Sequence, residues 1–326
     1  MEQHAAGSNR AGVSGPAFQI PDPVAETSRP VYRASMRYYG TVIRPPSEAD
    51  SYILQVTYGC SHDQCTFCGT YPDKPFQVRP TDEVRDDIEL ARAEMPDTRR
   101  VFLADGNALV LSTRRLVRVL ESLSAAFPDL QRVGAYANAR DLLDKSPEEL
   151  TTLRNRGLRI VYLGLESGHD EVLRRVHKNA TAAEMIEAVR RAQAAGIRVS
   201  VIALLGLGGP ELSREHAEAT GRVVSAMDPR YLSLLTLMLV PGTPLHQDWC
   251  DGTFQLLEPA AMLIELRQVI VHLEGLSGCI FRTNHASNYV PLAGTLPKDK
   301  LHLLTTLDAA LARGRSGLRP ETWRGL

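Results

Sequence analysis

Residues 57–71 read TYGCSHDQCTFCGTY and place Cys60, Cys65 and Cys68 within nine residues, directly after the apolar run at 52–56. These are three of the five cysteines in the chain. So tight a group of thiols predicts a metal site rather than a disulfide framework, because disulfides need paired cysteines and an oxidising compartment. Structural zinc is held by four ligands, whereas a 4Fe-4S cluster held by three thiolates keeps one iron open. The pattern therefore indicates a catalytic cluster.

The composition is that of a globular chain with an ample core. At 326 residues, 44% of them hydrophobic, it is long enough for one large α/β domain or two smaller ones. Its 37 basic and 38 acidic residues give a net charge of -1, which argues against nucleic acid as a partner. No apolar run reaches the roughly 18 residues of a membrane span, and no signal pattern opens the chain. We therefore expect a cytoplasmic protein with no membrane partner.

The chain divides into three predicted regions. Residues 1–30 are rich in Gly, Ser, Pro and Ala and show no sustained period, which predicts a disordered tail. Residues 31–245 form the predicted core, and residues 246–326 form a C-terminal extension. The elements predicted in the extension are a helix at 258–273, a strand at 279–282 and a last helix at 298–312.

Short apolar or β-branched runs alternate with amphipathic helical patterns through the core. The six runs begin near Tyr52, Val101, Arg132, Ile160, Val199 and Tyr231. Two of the helices begin with a capping box, one at Ser146 and one at Thr181. Repeated strand-helix-strand units need right-handed crossovers and a mostly parallel sheet, which leaves a doubly wound sheet or a complete or partial barrel.

Polar and glycine-rich residues follow each of the six predicted strands. After the cysteines of the first strand, these segments are 105–107, 138–140, 166–168, 206–209 and 241–244. A barrel with its site on the C-terminal face shows this pattern, whereas a doubly wound sheet concentrates such residues at one switch point. We therefore predict an α/β fold, a partial (β/α)6 TIM-like barrel whose gap the C-terminal α/β extension closes.

Together these motifs resemble the radical S-adenosylmethionine (radical SAM) superfamily, in the branch similar to oxygen-independent coproporphyrinogen oxidase and the tRNA methylthiotransferases. The resemblance covers roughly residues 50–245. It is carried by the cysteine stretch, LGLESGHDEVLRRVHK at 163–178, LLGLGG at 204–209 and VPGTPL at 240–245. The family usually has three residues between the first two cysteines, and here residues 61–64 make four. The predicted cluster loop is thus a CX4CX2C variant.

The resemblance implies an enzyme that binds a 4Fe-4S cluster through Cys60, Cys65 and Cys68 and reductively cleaves S-adenosylmethionine (SAM). The resulting 5'-deoxyadenosyl radical would abstract hydrogen from a small-molecule substrate, and a donor such as flavodoxin or ferredoxin would supply the electron. The implied SAM contacts are Phe67, Asp105, Gly106, Asn107, Glu166, Ser167, Lys178, Ser200, Gly206 and Gly208.

The resemblance implies a specific role for several of these contacts. The side chain of Asp105 or Asn107 would accept hydrogen bonds from the methionine ammonium, and Lys178 would pair with its carboxylate. Relatives carry an acidic ribose ligand where this chain is apolar around residues 202–203, so the ribose contacts would come from Glu166 or Ser200. Glycines at 206 and 208 would let the backbone approach the nucleoside closely.

A second class of function stays open on the residues alone. His62 could complete a Cys3His zinc site, and the chain would then be a zinc- or iron-sulfur-binding barrel protein without radical chemistry. The remaining cysteines, Cys250 and Cys279, are most simply small buried hydrophobes, and two thiols cannot hold a second cluster.

The segment after the predicted strand at 279–282 is the first candidate for the substrate site. There Arg282 and Asn284 would bind a polar or anionic substrate, and His285 would transfer a proton or orient the substrate. The structural alternative is that the asparagines serve only as turn and cap residues and that His285 is exposed. A second candidate site comprises Tyr136, Asn138 and Arg140.

Overall fold

The computed structural model describes residues 37–71 and 74–325, so the predicted tail at residues 1–30 lies outside the described residues. All six predicted runs are strands, and their observed starts lie within two residues of the predicted ones. The strands in the described ranges are β1 (Tyr52–Gln55), β2 (Thr57–Tyr58), β3 (Gln77–Val78), β4 (Arg100–Ala104), β5 (Arg132–Ala137), β6 (Leu158–Glu166), β7 (Arg198–Leu205), β8 (Tyr231–Thr236), β9 (Cys279–Arg282) and β10 (Ala293–Leu296).

The main sheet in the described ranges has eight strands in the order β1-β4-β5-β6-β7-β8-β9-β10. Within this sheet, which does not include β2 and β3, each neighbouring pair from β1 to β9 is parallel, and β10 pairs antiparallel with β9. A parallel sheet in chain order, with helical crossovers, is the arrangement of a TIM-like barrel. Because β1 and β10 stand at opposite ends of the order, the barrel is open. Strands β2 and β3 form a separate antiparallel pair beside it.

Helices connect the parallel strands, and they begin where the sequence provides start signals. Ser146 and Glu149 form a reciprocal capping box at one helix start, and Thr181 and Glu184 form another. The helices in the described ranges are α1 (Thr81–Glu94), α2 (Thr113–Ala126), α3 (Ala139–Leu143), α4 (Pro147–Asn155), α5 (Asp170–Arg175), α6 (Ala182–Ala194), α7 (Gly209–Met227), α8 (Pro244–Cys250), α9 (Pro259–Val271) and α10 (Lys300–Ala312).

The strands bury side chains on both faces of the sheet. One face packs against the helices and forms the large core, to which β1 contributes Leu54 and β4 contributes Leu103. The other face is the barrel interior, where Phe102 packs edge-on against the rings of Tyr136 and Tyr162 at centroid distances of 5.0 and 5.9 Å. Aromatic rings in these positions fill the interior, so the barrel is a packed core rather than a pore.

The segment before β1 places a buried carboxylate, that of Glu48, against the inner face of the sheet. Glu48 is fully buried and accepts hydrogen bonds from the hydroxyl of Tyr162 and, at 2.9 Å, from the guanidinium of Arg132. A buried charge needs such partners, because an unpaired one would be strongly destabilising. The contact therefore ties the segment at 46–48 to strands β5 and β6.

The predicted α/β class and partial barrel are confirmed. The strand predicted at 279–282 is β9, and the helices predicted at 258–273 and 298–312 are α9 and α10 with slightly shorter bounds. The described residues, 37–71 and 74–325, belong to one compact unit, and the functional boundary predicted at residue 245 stays a prediction. In the described part of the chain, no helix combines the length and the apolar character needed to cross a membrane.

A candidate cofactor site at the carboxyl ends of the strands

The cysteine loop, residues 60–68, follows β1 and β2 and reaches over the carboxyl ends of the neighbouring strands. Cys60, Cys65 and Cys68 line one cavity of about 230 Å³, which we call the central cavity. Its other walls include Gly106 after β4 and Asn138 after β5. Sites of TIM-like barrels lie at this face, because the loops after parallel strands converge there. The structure thus brings the three predicted ligands into one cavity.

The three thiols are free, and the loop leaves them accessible from the cavity. Cys60 and Cys65 are half-buried, and Cys68 is exposed. Burial raises the pKa of Cys60, and it raises the pKa of Cys65 to about 12. Burial thus disfavours free thiolates at these positions, and a bound metal would offset that cost. Among the residues that the structure describes, no three His, Cys, Asp or Glu side chains already converge as metal ligands, so ligation by the three thiols stays a prediction.

The glycine-proline motif at 240–245 contacts the middle of the cysteine loop. The backbone N–H of Leu245 donates to the carbonyl of Thr66 at 2.9 Å, and the N–H of Thr66 donates to the carbonyl of Val176 at 3.1 Å. A Cβ atom at Gly69 would lie 2.5 Å from a methyl carbon of Val240, so only glycine fits there. These contacts hold the middle of the loop in place between two other loops.

A charged pair lies beside the thiols. The ammonium of Lys178 lies 3.0 Å from Oε1 of Glu166, and both side chains line the central cavity. Burial alone would lower the pKa of Lys178, but the Glu166 carboxylate opposes this effect, and the pKa is raised. Glu166 ends β6 with a φ of 61°, and a Cβ at Gly164 would lie 2.0 Å from its carboxylate oxygen. Glycine at 164 thus leaves room for the carboxylate to fold back over the strand.

Asp105, a predicted SAM contact, lies beneath the cavity rather than in it. Its side chain is fully buried and accepts hydrogen bonds from Gln55 Nε2, from the N–H of Gly59 at 3.1 Å and from Lys74 Nζ at 3.0 Å. Burial raises the pKa of Asp105, while Gln55 and Lys74 oppose the shift. The carboxylate therefore holds the base of the cysteine loop, and the adjacent Gly106 lines the cavity in its place.

Asn107 and Ser167 are likewise buried, and each bonds to a neighbouring loop or helix. Nδ2 of Asn107 donates to Asp141 and, at 2.8 Å, to Ser61 Oγ, whereas its Oδ1 is buried without a hydrogen-bond partner. The hydroxyl of Ser167 lies 2.7 Å from Nδ1 of His216, a fully buried residue of α7. Both residues support the loops around the cavity.

Three further predicted SAM contacts lie outside the central cavity as the described residues define it: Ser200, Gly206 and Gly208. The N–H of Gly206, at a φ of 84°, donates to the buried carboxylate of Glu265 on α9. Burial raises the pKa of Glu265 to about 7. The predicted role of the glycine-rich segment in SAM binding stays a prediction, and its observed contacts are with α9.

The first candidate substrate segment follows β9 and does not line the central cavity in the described structure. Arg282 and Asn284 are exposed, while Nδ1 of His285 lies 2.9 Å from the hydroxyl of Ser287. The guanidinium of Arg319 donates to the carbonyl of His285 at 3.1 Å. The segment therefore stands at the same edge of the sheet but is held by its own contacts.

The second candidate set lies closer to the thiols. Tyr136 and Asn138 line the central cavity, and Arg140 lines a neighbouring pocket and donates to the carbonyl of Asn179 at 3.0 Å. Phe67, a predicted SAM contact, also lines the central cavity. The sequence assigned no cofactor role to five other aromatic and apolar lining residues: Ile43, Tyr71, Tyr136, Tyr162 and Ile202.

Comparisons with known proteins bear on the family and the fold. A family model described as the Radical SAM superfamily matches residues 54–223, which is more than half of the chain. The heme chaperone HemW of Bacillus subtilis (strain 168) is 23% identical over 223 residues, covering 65% of this chain and 56% of HemW. An uncharacterized methyltransferase of Pyrococcus horikoshii is 22% identical over 202 residues, covering 60% of this chain and 41% of that protein.

Among solved structures, coproporphyrinogen III oxidase (HemN) from Escherichia coli, described as a radical SAM enzyme, matches with a TM-score of 0.53 and 19% identity. The match covers 68% of this chain and 52% of HemN, and at that identity it bears on the fold alone. The chain thus spans about half of the length of the proteins that it matches.

Proposed function

This chain belongs to the radical SAM superfamily, and we propose that it is an enzyme that holds a 4Fe-4S cluster through Cys60, Cys65 and Cys68 and reductively cleaves SAM. The observation that carries the proposal is the meeting of the three thiols with the Glu166–Lys178 pair in one cavity. When bound, the cluster supplies an electron and an open iron for the amino and carboxylate groups of SAM.

The charged pair suits the polar groups of SAM. The ammonium of Lys178 would bind the methionine carboxylate, and the carboxylate of Glu166 would accept hydrogen bonds from the ribose hydroxyls. Both side chains are largely shielded from water, with 12% and 11% of their surface exposed. Charge-assisted hydrogen bonds are stronger in such surroundings than in bulk water. Phe67, at the cavity wall, would pack against the adenine.

The other predicted SAM contacts would act through the loops that they hold. Asp105 fixes Gly59, the residue before the first cysteine, and Asn107 fixes Ser61, the residue after it. Ser167 and Gly206 would support the carboxyl ends of β6 and β7, whereas Ser200 lies near the start of β7 and Gly208 directly precedes α7. These residues would shape the cavity rather than touch its contents.

The substrate we propose is a small molecule that binds in the central cavity against Tyr136 and Asn138. Aromatic rings and an amide offer stacking and hydrogen bonds close to the thiols. The electron would come from a small donor protein such as flavodoxin or ferredoxin. A cytoplasmic location would keep the three thiols reduced and available.

Anaerobic reconstitution with iron and sulfide tests the proposal. We expect about four irons per chain, a brown absorbance near roughly 400 nm, and 5'-deoxyadenosine after dithionite and SAM are added. Changing any one of the three loop cysteines to Ala should remove the iron, because two thiolates do not retain a cluster against chelators. Cys250 was expected to be buried like Cys279, but it is exposed on α8, and only Cys279 is buried. Cys250→Ala is therefore the matched control and should leave the iron content unchanged.

Two outcomes would contradict the proposal. A colourless protein with one tightly bound zinc would favour the zinc-binding alternative. A full cluster in a single Ala variant would show that the cysteine in question is not a ligand.

A further inference from the structure

The four-residue spacer of the CX4CX2C loop is tied to two other loops by its first two residues. The hydroxyl of Ser61 accepts a hydrogen bond from Asn107 at 2.8 Å, and Nε2 of His62 lies 2.7 Å from the backbone carbonyl of His177. The other two spacer residues, Asp63 and Gln64, are exposed. The spacer is therefore anchored at one end and solvated at the other.

His62 makes contacts in two directions. Its backbone follows Cys60 by two residues, with a carbonyl that accepts a hydrogen bond at 3.2 Å from the protonated form of the Cys60 thiol, while its ring reaches across to residue 177. Nε2 lies 2.7 Å from the backbone carbonyl of His177, which can only accept, and 3.5 Å from the backbone N–H of Asn179, so the shorter contact assigns the proton to Nε2 and makes it the donor to His177. One residue thus connects the first cysteine to the turn between α5 and α6.

That turn presents Lys178 to the central cavity. His177 has a left-handed backbone with a φ of 55°, and the N–H of Lys178 donates to the carbonyl of Leu173 at 2.9 Å. The direction of the Lys178 side chain therefore depends on how the backbone at residue 177 is held. The ring of His62 contacts the backbone carbonyl of His177 from the cavity, and the hydrogen bond from Lys178 N–H to Leu173 holds the same turn against α5.

We infer that His62 is a positioning residue that fixes Lys178 relative to the cysteine loop, and that it is not a metal ligand. The inference rests on the proposed function, because it concerns the site at which SAM would bind. The nitrogen that donates to the carbonyl is already engaged, which disfavours Nε2 as a zinc ligand.

The test compares His62→Ala with His62→Gln in the anaerobically reconstituted full-length protein. The amide nitrogen of Gln can occupy nearly the position of Nε2 and donate to the same carbonyl. We expect His62→Ala to keep about four irons but to bind SAM about 10-fold more weakly, and to alter the change that SAM produces in the electron paramagnetic resonance spectrum of the reduced cluster. His62→Gln should restore both.

A matched variant controls for nonspecific effects. His302→Ala replaces an exposed histidine on α10 and should leave both the iron content and the SAM affinity unchanged.

A double-mutant cycle shows whether His62 acts through Lys178. In a Lys178→Met background, His62→Ala should add less than about a twofold further loss of SAM affinity, because the positioned group is already absent. A full 10-fold further loss would show that His62 acts independently of Lys178 and would overturn the inference.

The failures of the two proposals are distinguishable. A wild-type protein that takes up a cluster but has no affinity for SAM overturns the proposed function and this inference with it. A wild type that binds SAM, with an unchanged His62→Ala variant, overturns the inference alone. Loss of iron in His62→Ala equal to that in Cys60→Ala, with no restoration by Gln, would make His62 a ligand and also overturn it.

Discussion

The ammonium of Lys178 lies 3.0 Å from the carboxylate of Glu166, and both groups face the cavity that the three loop cysteines line. The two residues are 12 apart in sequence and come from the end of β6 and the turn after α5. A pair so shielded from water is strongly disturbed when one partner is removed, because the other charge is left without compensation. Substitution of either residue should therefore change what the cavity binds.

Lys178→Met should leave the cluster intact and weaken SAM binding. The change removes the cation proposed to bind the methionine carboxylate, which corresponds to a loss of about 1–3 kcal/mol. Anaerobic calorimetry on the reconstituted protein measures the affinity, and iron analysis measures the cluster. Lys298→Met, at an exposed position, is the control. Equal SAM affinity in wild type and Lys178→Met would show that the carboxylate binds elsewhere.

Asp105→Asn should act on stability rather than on SAM. The substitution leaves the ammonium of Lys74 buried opposite a neutral amide, and breaking a buried ion pair costs about 3–5 kcal/mol. Urea denaturation of the apoprotein should show this loss. In the variant that still carries a full cluster, SAM affinity should match the wild type. If the variant kept the stability of the wild type but bound SAM more weakly, Asp105 would be a direct SAM contact, as the sequence predicted.

The contrast between Asp105 and Glu166 shows how far a sequence can predict a site. The sequence predicts both acids at the carboxyl end of a strand, and the structure confirms this. Apolar runs followed by polar residues predict strand ends well. Which way each carboxylate points depends on distant partners. Asp105 turns inward to Lys74, 31 residues earlier in the chain, and that pairing has no local signal.

The same reasoning explains what was found and missed elsewhere. The six core strands and β9 were predicted from their β-branched and apolar runs, whereas β10, with the sequence AGTL, has too little β propensity to be recognised. Tyr136 was already a predicted candidate for the substrate site, whereas Tyr162, its register partner on β6, was not named, although strand periodicity could have placed it in the cavity as well. The separation of His285 from the cavity depends on tertiary contacts such as that with Arg319, which no sequence pattern predicts.

Glu265 should make stability depend on pH. Burial raises its pKa from 4.5 to about 7, so the folded state holds the proton more tightly than the unfolded state. The stabilisation is therefore fully present below about pH 4.5 and is lost as the pH rises through about 7, by up to about 3 kcal/mol.

Glu265→Gln should remove this dependence, because the amide can still accept from Gly206 and donate to Ser213. Urea denaturation of wild type and variant at pH 5, 6, 7 and 8 measures the difference. We expect the variant to gain stability relative to the wild type as the pH rises. A difference that stays constant across this range would show that Glu265 does not titrate there.

The substrate site can be located by comparing Tyr136 with the segment after β9. The ring of Tyr136 packs edge-on against Phe102, and the residue lines the central cavity. Burial raises the pKa of Tyr136, so its hydroxyl stays protonated and can donate a hydrogen bond near neutral pH. Tyr136→Phe keeps the ring packing and removes only that donor.

We expect Tyr136→Phe to retain the cluster and to lower, by about 10-fold, the ratio of 5'-deoxyadenosine formed with and without cell extract as the source of substrate. Tyr231→Phe is the matched control, because Tyr231 packs in the same aromatic cluster but does not line the cavity in the described structure. Arg282→Ala and His285→Ala should keep the wild-type ratio, since both residues lie outside the cavity. If these two variants lost the stimulation while Tyr136→Phe kept it, the substrate would bind against the segment after β9, and the central cavity would serve SAM alone.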